Sequence, residues 1–370
     1  MNELQIVIGF FAFLFAGSLF YSAKRKSESL FSFIINLELE YIVVGIVLFV
    51  MAESMLVPMT AFKGIMHLLL AFMGLALGTH FSIKLLLDVP YRFYIFSITI
   101  YLALLPFLYI ILRSMGSDHP LMMAITFNTL MPYSLNLSMK LFRVSKDKVF
   151  VSSLTASLFP LITLIAYTIA AGVDDYRPVD FSKSVLAAFF IAFVFLHYGK
   201  VKSKKSVNNL SVLFVVIVSG LAVYYSISPL VIGFLTGLLK ADTKYGNIFQ
   251  DISIRFERIL YIFFYVALGV MLGFGYSFSI KTFSIAGALY ISFFLVRMLL
   301  AKALAYHLFP TKGECICLLS TGILPAVLLL DYGTRHGYMN IKEFFMPLLL
   351  LHVAAEITTY FMVKNERKIN

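Results

Sequence analysis

From Tyr41 to Val50 the chain carries no charged residue and no alternation of polar with apolar side chains, and comparable runs recur along its length. A bilayer core about 30 Å thick takes about 20 helical residues to cross. Backbone N–H and C=O groups cannot go unpaired in lipid, so spanning segments are helices or a closed barrel, and barrel strands would show a period of two. Composition agrees. Hydrophobic side chains make up 61% of the 370 residues and charged ones 13%, against about 25% charged in soluble domains, and mean hydropathy is +0.92. The expectation is an all-α integral membrane protein of about thirteen transmembrane helices, with no room for a separate soluble domain. The spans read as 4–22, 36–57, 61–79, 92–112, 119–138, 149–171, 184–198, 209–225, 226–240, 256–275, 281–308, 314–332 and 343–363.

The net charge of +11 invites a nucleic-acid reading, but its placement favours topology. Assigning Lys and Arg to alternate sides puts Lys24, Arg25, Lys26, Lys140, Arg143, Lys200, Lys202, Lys204, Lys205, Arg255, Arg258, Lys364 and others on one face. Only Lys63, Arg113, Arg177, Lys183, Lys281, Arg335 and Lys342 fall on the other. The richer face is cytoplasmic by the positive-inside rule, which puts the N-terminus outside and the C-terminus inside a plasma membrane. The expected partners are lipid and a small ion or solute, not nucleic acid. Cys315 and Cys317 stand two apart on a helix and face different ways, so they form neither a disulfide nor a metal pair. Nothing in the sequence calls for an enzyme activity, a metal or a cofactor.

Internal symmetry is visible. Gly74-Leu75-Ala76-Leu77-Gly78 with Ser82 lies over Gly269-Val270-Met271-Leu272-Gly273 with Ser277. This carries the third span onto the tenth, an odd number of helices, and so describes an inverted repeat. The chain then divides into a first repeat over 1–183, a linker helix and basic loop over 184–208, and a second repeat over 209–370, all within one transmembrane domain. The same relation pairs the fifth span with the twelfth, and both carry helix breakers: Pro132 in one, Gly322 and Pro325 in the other. Paired breaks at membrane depth free backbone groups and point to a midplane binding site. Thr126, Asn128 and Thr129 flank the first break, Ser320 and Thr321 the second.

Arg297 lies roughly 16 Å from the nearer end of its span, close to the bilayer centre. Such a charge requires carboxylate, carbonyl or water partners. Lys302, nearer the interface, can snorkel. The candidate proton carriers within spans are Glu53, His67, His352 and Glu356, the last two sharing a helix face at i,i+4 spacing.

These residues resemble the cation/proton antiporter superfamily, in particular the branch of prokaryotic sodium/proton and potassium-efflux antiporters with a sodium/hydrogen exchanger-like membrane domain. The resemblance runs over nearly the whole chain. It is carried by Ser228-Pro229-Leu230-Val231-Ile232-Gly233-Phe234-Leu235-Thr236-Gly237-Leu238-Leu239, then Arg255-Phe256-Glu257-Arg258 and Phe263-Phe264-Tyr265-Val266-Ala267-Leu268-Gly269, similar to the family stretch "GAFLAGLLL … PF … FFxxVGM". It implies an inverted repeat with two crossing discontinuous helices, exchange of Na⁺ or K⁺ for protons by alternating access, and a homodimer. Arg297 falls where that branch commonly has a basic residue.

One departure matters. Where the family carries an acidic pair in its sixth span, this chain has Ser157 and Leu158. Three readings follow: an antiporter using other carboxylates, a carrier of a different and perhaps anionic solute, and a membrane sensor that does not transport.

Overall fold

Every apolar run that the structure describes is helical. The structure, a computed structural model, describes residues 39–53, 59–131, 146–174, 182, 186–187, 189–191, 204–225, 227–242, 244–273, 280–308 and 319–369. The described helices are α1 (Glu40–Glu53), α2 (Met59–Thr79), α3 (Ile83–Asp88), α4 (Tyr91–Ser114), α5 (Pro120–Phe127), α6 (Lys146–Asp174), α7 (Lys204–Tyr225), α8 (Pro229–Lys240), α9 (Lys244–Gly273), α10 (Ile280–Leu308), α11 (Leu324–His336) and α12 (Tyr338–Ile369). No strand occurs among the described residues. The first predicted span, 4–22, lies outside the described residues, as does most of 184–198.

Among the described residues three segments are long and apolar enough to cross a bilayer alone: Tyr91–Ser114, Thr282–Leu304 and Ile341–Asn365. α4 shows why. It buries Phe93, Phe96, Ile100, Leu104, Leu108 and Leu112 at helical spacing, yet its outer face is also apolar, with Leu102, Phe107 and Ile110 exposed. A helix apolar all round suits a lipid surround. The predicted bounds need correction, and the tenth span's helix already begins at Lys244, well before the predicted start. The fifth span ends its first helix at Phe127, the last helix extends past both predicted ends, and the short α3, with polar Lys84 and Asp88 in six residues, was not foreseen.

Two helix pairs form the tightest packing. α2 crosses α8 so closely that a Cβ on Gly74 would overlap the carbonyl oxygen of Leu230, and one on Gly78 that of Phe234; in return Gly233 faces the Ala71 carbonyl. α1 meets α9 the same way, Gly45 against Val266 O and Gly269 against Ile42 O. Small residues let backbones approach where lipid leaves no hydrophobic drive for helix association. The glycine stretch of α2 and its counterpart in α9 thus do the same job against α8 and α1 respectively.

Candidate ion site at the crossing of two interrupted helices

The backbone leaves the helix at two places that meet. α5 ends with Asn128, whose N–H still reaches Ala124 O and Ile125 O, and the chain continues non-helically to Met131. The other interruption runs through Ser320, Thr321 and Gly322 before α11 begins at Leu324. Met131 N donates to Ser320 O at 3.0 Å, and Ser320 Oγ donates to Met131 O at 2.8 Å. The two segments therefore satisfy each other's backbone, which in lipid is the condition for breaking a helix at all. Gly322 takes φ +60°, and a Cβ there would stand 2.5 Å from Met131 Cβ. Pro132 is outside the described residues. Pro325 is not part of the interruption: it sits in the first turn of α11, where a missing N–H costs nothing and a fixed φ favours helix initiation.

Arg297 is fully buried on α10. Its Nη2 donates among Asn128 O at 2.7 Å, Asn128 Oδ1 at 3.1 Å and Thr129 O at 3.3 Å. The guanidinium lies 3.7 Å from the centre of the Phe293 ring and 5.3 Å from that of Phe159. Asn128 is fixed from its other end, its Nδ2 donating to Tyr101 O at 2.8 Å. The cation thus meets the carbonyls at the end of α5, the negative pole of that helix.

Glu356 on α12 stands at the opposite pole. Its Oε1 accepts from Gly322 N at 3.1 Å and lies 3.3 Å from Ser320 Oγ, at the entrance to α11, where N–H groups and helix dipole favour an anion. His352 Nδ1 is 3.7 Å from the same oxygen and 2.7 Å from Thr321 Oγ1, while its Nε2 is 3.2 Å from Tyr265 OH. One acid, one imidazole and three hydroxyls are therefore linked around the second interruption. In broken-helix transporters unwound backbone carbonyls and half-helix C-terminal ends coordinate Na⁺ or H⁺, while half-helix N-termini face anionic groups.

Of the other predicted residues, Thr126 is buried and back-bonds locally to Met122 O, and Ser157 is half-buried on α6. His67 is buried but bonds only one turn away, to Lys63 O, so it stands apart from the crossing. The side chain of Glu53 lies outside the described residues. Lys302 is exposed on α10.

Sequence reasoning missed a second buried polar group. Asp331 on α11 is fully buried; its Oδ1 accepts from Ser228 Oγ at 2.8 Å and Leu230 N at 3.4 Å. Its Oδ2 accepts from Tyr167 OH at 2.8 Å and lies 3.6 Å from Arg335 Nη2. The i,i+4 spacing of Asp331 and Arg335 was the one available signal. It was obscured because Arg335 reads as an ordinary flanking charge.

No protein-family model matches the chain, and no curated protein does. Among solved structures, that of the sodium proton antiporter MjNhaP1 from Methanocaldococcus jannaschii at pH 8 is similar over 97% of this chain and 100% of that one, with a TM-score of 0.63 and 13% sequence identity. The chain is an all-α, multi-pass membrane protein with the fold of a cation/proton antiporter.

Proposed function

We propose that the protein exchanges a monovalent cation, Na⁺ or K⁺, for protons by alternating access, with Glu356 in place of the acidic pair that Ser157 and Leu158 lack. The observation that carries this reading is the position of Glu356: a buried carboxylate held by Gly322 N–H at the interruption, with His352 between it and Thr321. A carboxylate so placed is a proton acceptor whose loss of charge would release the Gly322 contact, and its neighbours supply oxygen ligands for the competing cation. The resemblance of the fold to a sodium/proton antiporter supports the same class. Arg297 does not act as an anion trap in this reading. Its charge is committed to the Asn128 and Thr129 oxygens and stacked on Phe293.

The two-repeat division at 183 and 208, the homodimer, the plasma-membrane location and the outside N-terminus belong to this proposal. A reporter fused after Asn370 is then cytoplasmic, and a cysteine placed at Asp175 is labelled from outside intact cells. The deciding experiment is proton flux in proteoliposomes driven by Na⁺ or K⁺ across a range of pH. Native protein gives cation-dependent flux and Glu356→Gln gives none. A native protein without flux would leave the second reading, a membrane sensor. That reading draws on the dryness of the centre: Asn128, Thr129, Arg297 and Ser320 are all fully buried.

A further inference from the structure

The Asp331 group has no part in the ion site just described, yet it joins three helices. Asp331 is seven residues beyond Leu324, so it lies about 10 Å along α11 from the crossing. There its carboxylate binds α8 through Ser228 Oγ and Leu230 N, and α6 through Tyr167 OH. Tyr167 OH is shared, donating to Asp331 Oδ2 while accepting from Arg335 Nη2 at 3.0 Å. Ser228 is shared too, since it caps α8 by accepting from Val231 N at 3.0 Å. Partners from two other helices, each 100 residues and more away in sequence, converge on a single buried side chain.

Immediately beyond the group is a cavity of about 220 Å³ lined by Asp118, His119, Met123, Tyr332, His336 and Glu343. Tyr332 and His336 stack at 4.2 Å between ring centres, and His119 lies 5.2 Å from His336. Tyr332 follows Asp331 directly in the chain, and His336 follows Arg335. Residues next to Asp331 and Arg335 in the chain thus line the cavity, while Asp331 faces the neighbouring helices. A carboxylate is well suited to hold α11 there. Its bonds to Ser228 and Tyr167 are to neutral donors on other helices, whereas its ionic partner, Arg335, lies on its own helix and moves with it.

We propose that Asp331 is a latch: its bonds to Ser228 and Tyr167 hold α11 against α8 and α6, and must break for α11, which forms part of the cavity wall, to move away from them. Arg335 keeps the released carboxylate charge-paired within α11. The latch rests on the alternating-access reading for its place in a cycle, but its existence is measured without any ion gradient.

The test uses the full chain with Cys315→Ser, Cys317→Ser and Met123→Cys, purified in lipid nanodiscs. Met123 lines the cavity and is 1% exposed, so a membrane-impermeant maleimide should label it slowly. Adding Ser228→Ala, which removes the bond to Asp331 together with the Val231 cap, should raise the labelling rate about fivefold, and Asp331→Asn by more. Equal rates in all three would overturn the latch.

Hydrogen exchange on chains with native Met123 guards against a reporter that fails to fold. Ser228→Ala should speed exchange across 324–336 and leave the glycine-packed part of α2 unchanged. Faster exchange at Leu230 and Val231 alone would mean a local cap and would also overturn the proposal, as would uniform loosening of every helix. Faster labelling in a protein without cation-dependent proton flux would keep the latch and end the antiport reading. Unchanged labelling in a protein that does carry flux would end the latch alone.

Discussion

Where α2 crosses α8, the contact is backbone on backbone, with glycines on each helix facing carbonyl oxygens of the other. Where the two interrupted segments cross, Arg297 and Glu356 are buried and the helices themselves are broken. Both are intramembrane crossings within one bundle, yet they tolerate different things. The first depends on the absence of atoms and has no charge to balance. The second depends on each buried charge meeting the matching pole of a half-helix, Arg297 at the end of α5 and Glu356 at the start of α11. A glycine crossing is rigid because nothing can be inserted. A charged crossing is poised, because removing one proton or one ion changes what holds it.

The largest effect expected from this comparison is at the glycine crossing. Gly74→Val or Gly233→Val must push two backbones apart, since even a Cβ would overlap a carbonyl; overpacking of this kind costs upwards of about 3 kcal/mol. Neither variant should yield monodisperse protein by size-exclusion chromatography in detergent. Gly64 is the internal control on the same helix, with nothing within 4 Å of an added Cβ. Gly64→Ala should be neutral or gain up to about 1 kcal/mol from helix propensity. If all three behaved alike, the close approach would not be what holds the pair.

Next comes Arg297→Ala, which leaves the carbonyls of Asn128 and Thr129 facing a void. Removing a charged donor from buried acceptors costs roughly 3 kcal/mol, read as a lower midpoint in thermal unfolding. Arg297→Lys keeps the charge but not the planar stack on Phe293, so its midpoint should fall between native and alanine. Equal midpoints for lysine and alanine would show that stacking, not charge, is what the site needs.

Much of this second crossing was legible beforehand, and much was not, for one physical reason. Asn128, Thr129, Ser320, Thr321 and Arg297 could be placed because breakers and charges in a long apolar run are costly in lipid and therefore informative. The pairing of Glu356 with Gly322 N–H could not be placed, since it needs α12 brought beside the interruption; only its i,i+4 relation to His352 was visible. Asp331 was missed altogether, because Ser228 and Tyr167 are distant in sequence and look like ordinary polar residues of apolar helices. Likewise the Gly74 and Gly269 stretches announced a symmetry, but that they face α8 and α1 is a fact of packing.

A smaller effect is expected at Gly322. Its φ of +60° and the nearness of Met131 make Gly322→Ala strained, by about 2 kcal/mol. The substitution should displace the N–H that holds Glu356, so cation-dependent proton flux should fall by far more than the unfolding midpoint does. Flux and stability falling in proportion would mean that Gly322 serves folding and not the site.

The smallest effect separates the two helix breakers of the twelfth span. Gly322 lies in the interruption itself, whereas Pro325 is already within the first turn of α11, where its lack of an N–H leaves no intrahelical bond unmade. Pro325→Ala removes a fixed φ from the unfolded chain and adds one N–H to the orphan donors of a buried helix start. The expected loss is about 0.5–1 kcal/mol, chiefly through the greater freedom of the unfolded state. Flux should be retained, with the Gly322–Glu356 contact intact. The informative comparison is the ratio of flux lost to stability lost, high for Gly322→Ala and near zero for Pro325→Ala. If Pro325→Ala instead abolished flux in a stable protein, the interruption would have to extend through Pro325 in the working state. α11 would then start later than the structure shows, and the anion-binding end of the helix would sit a turn further from Glu356.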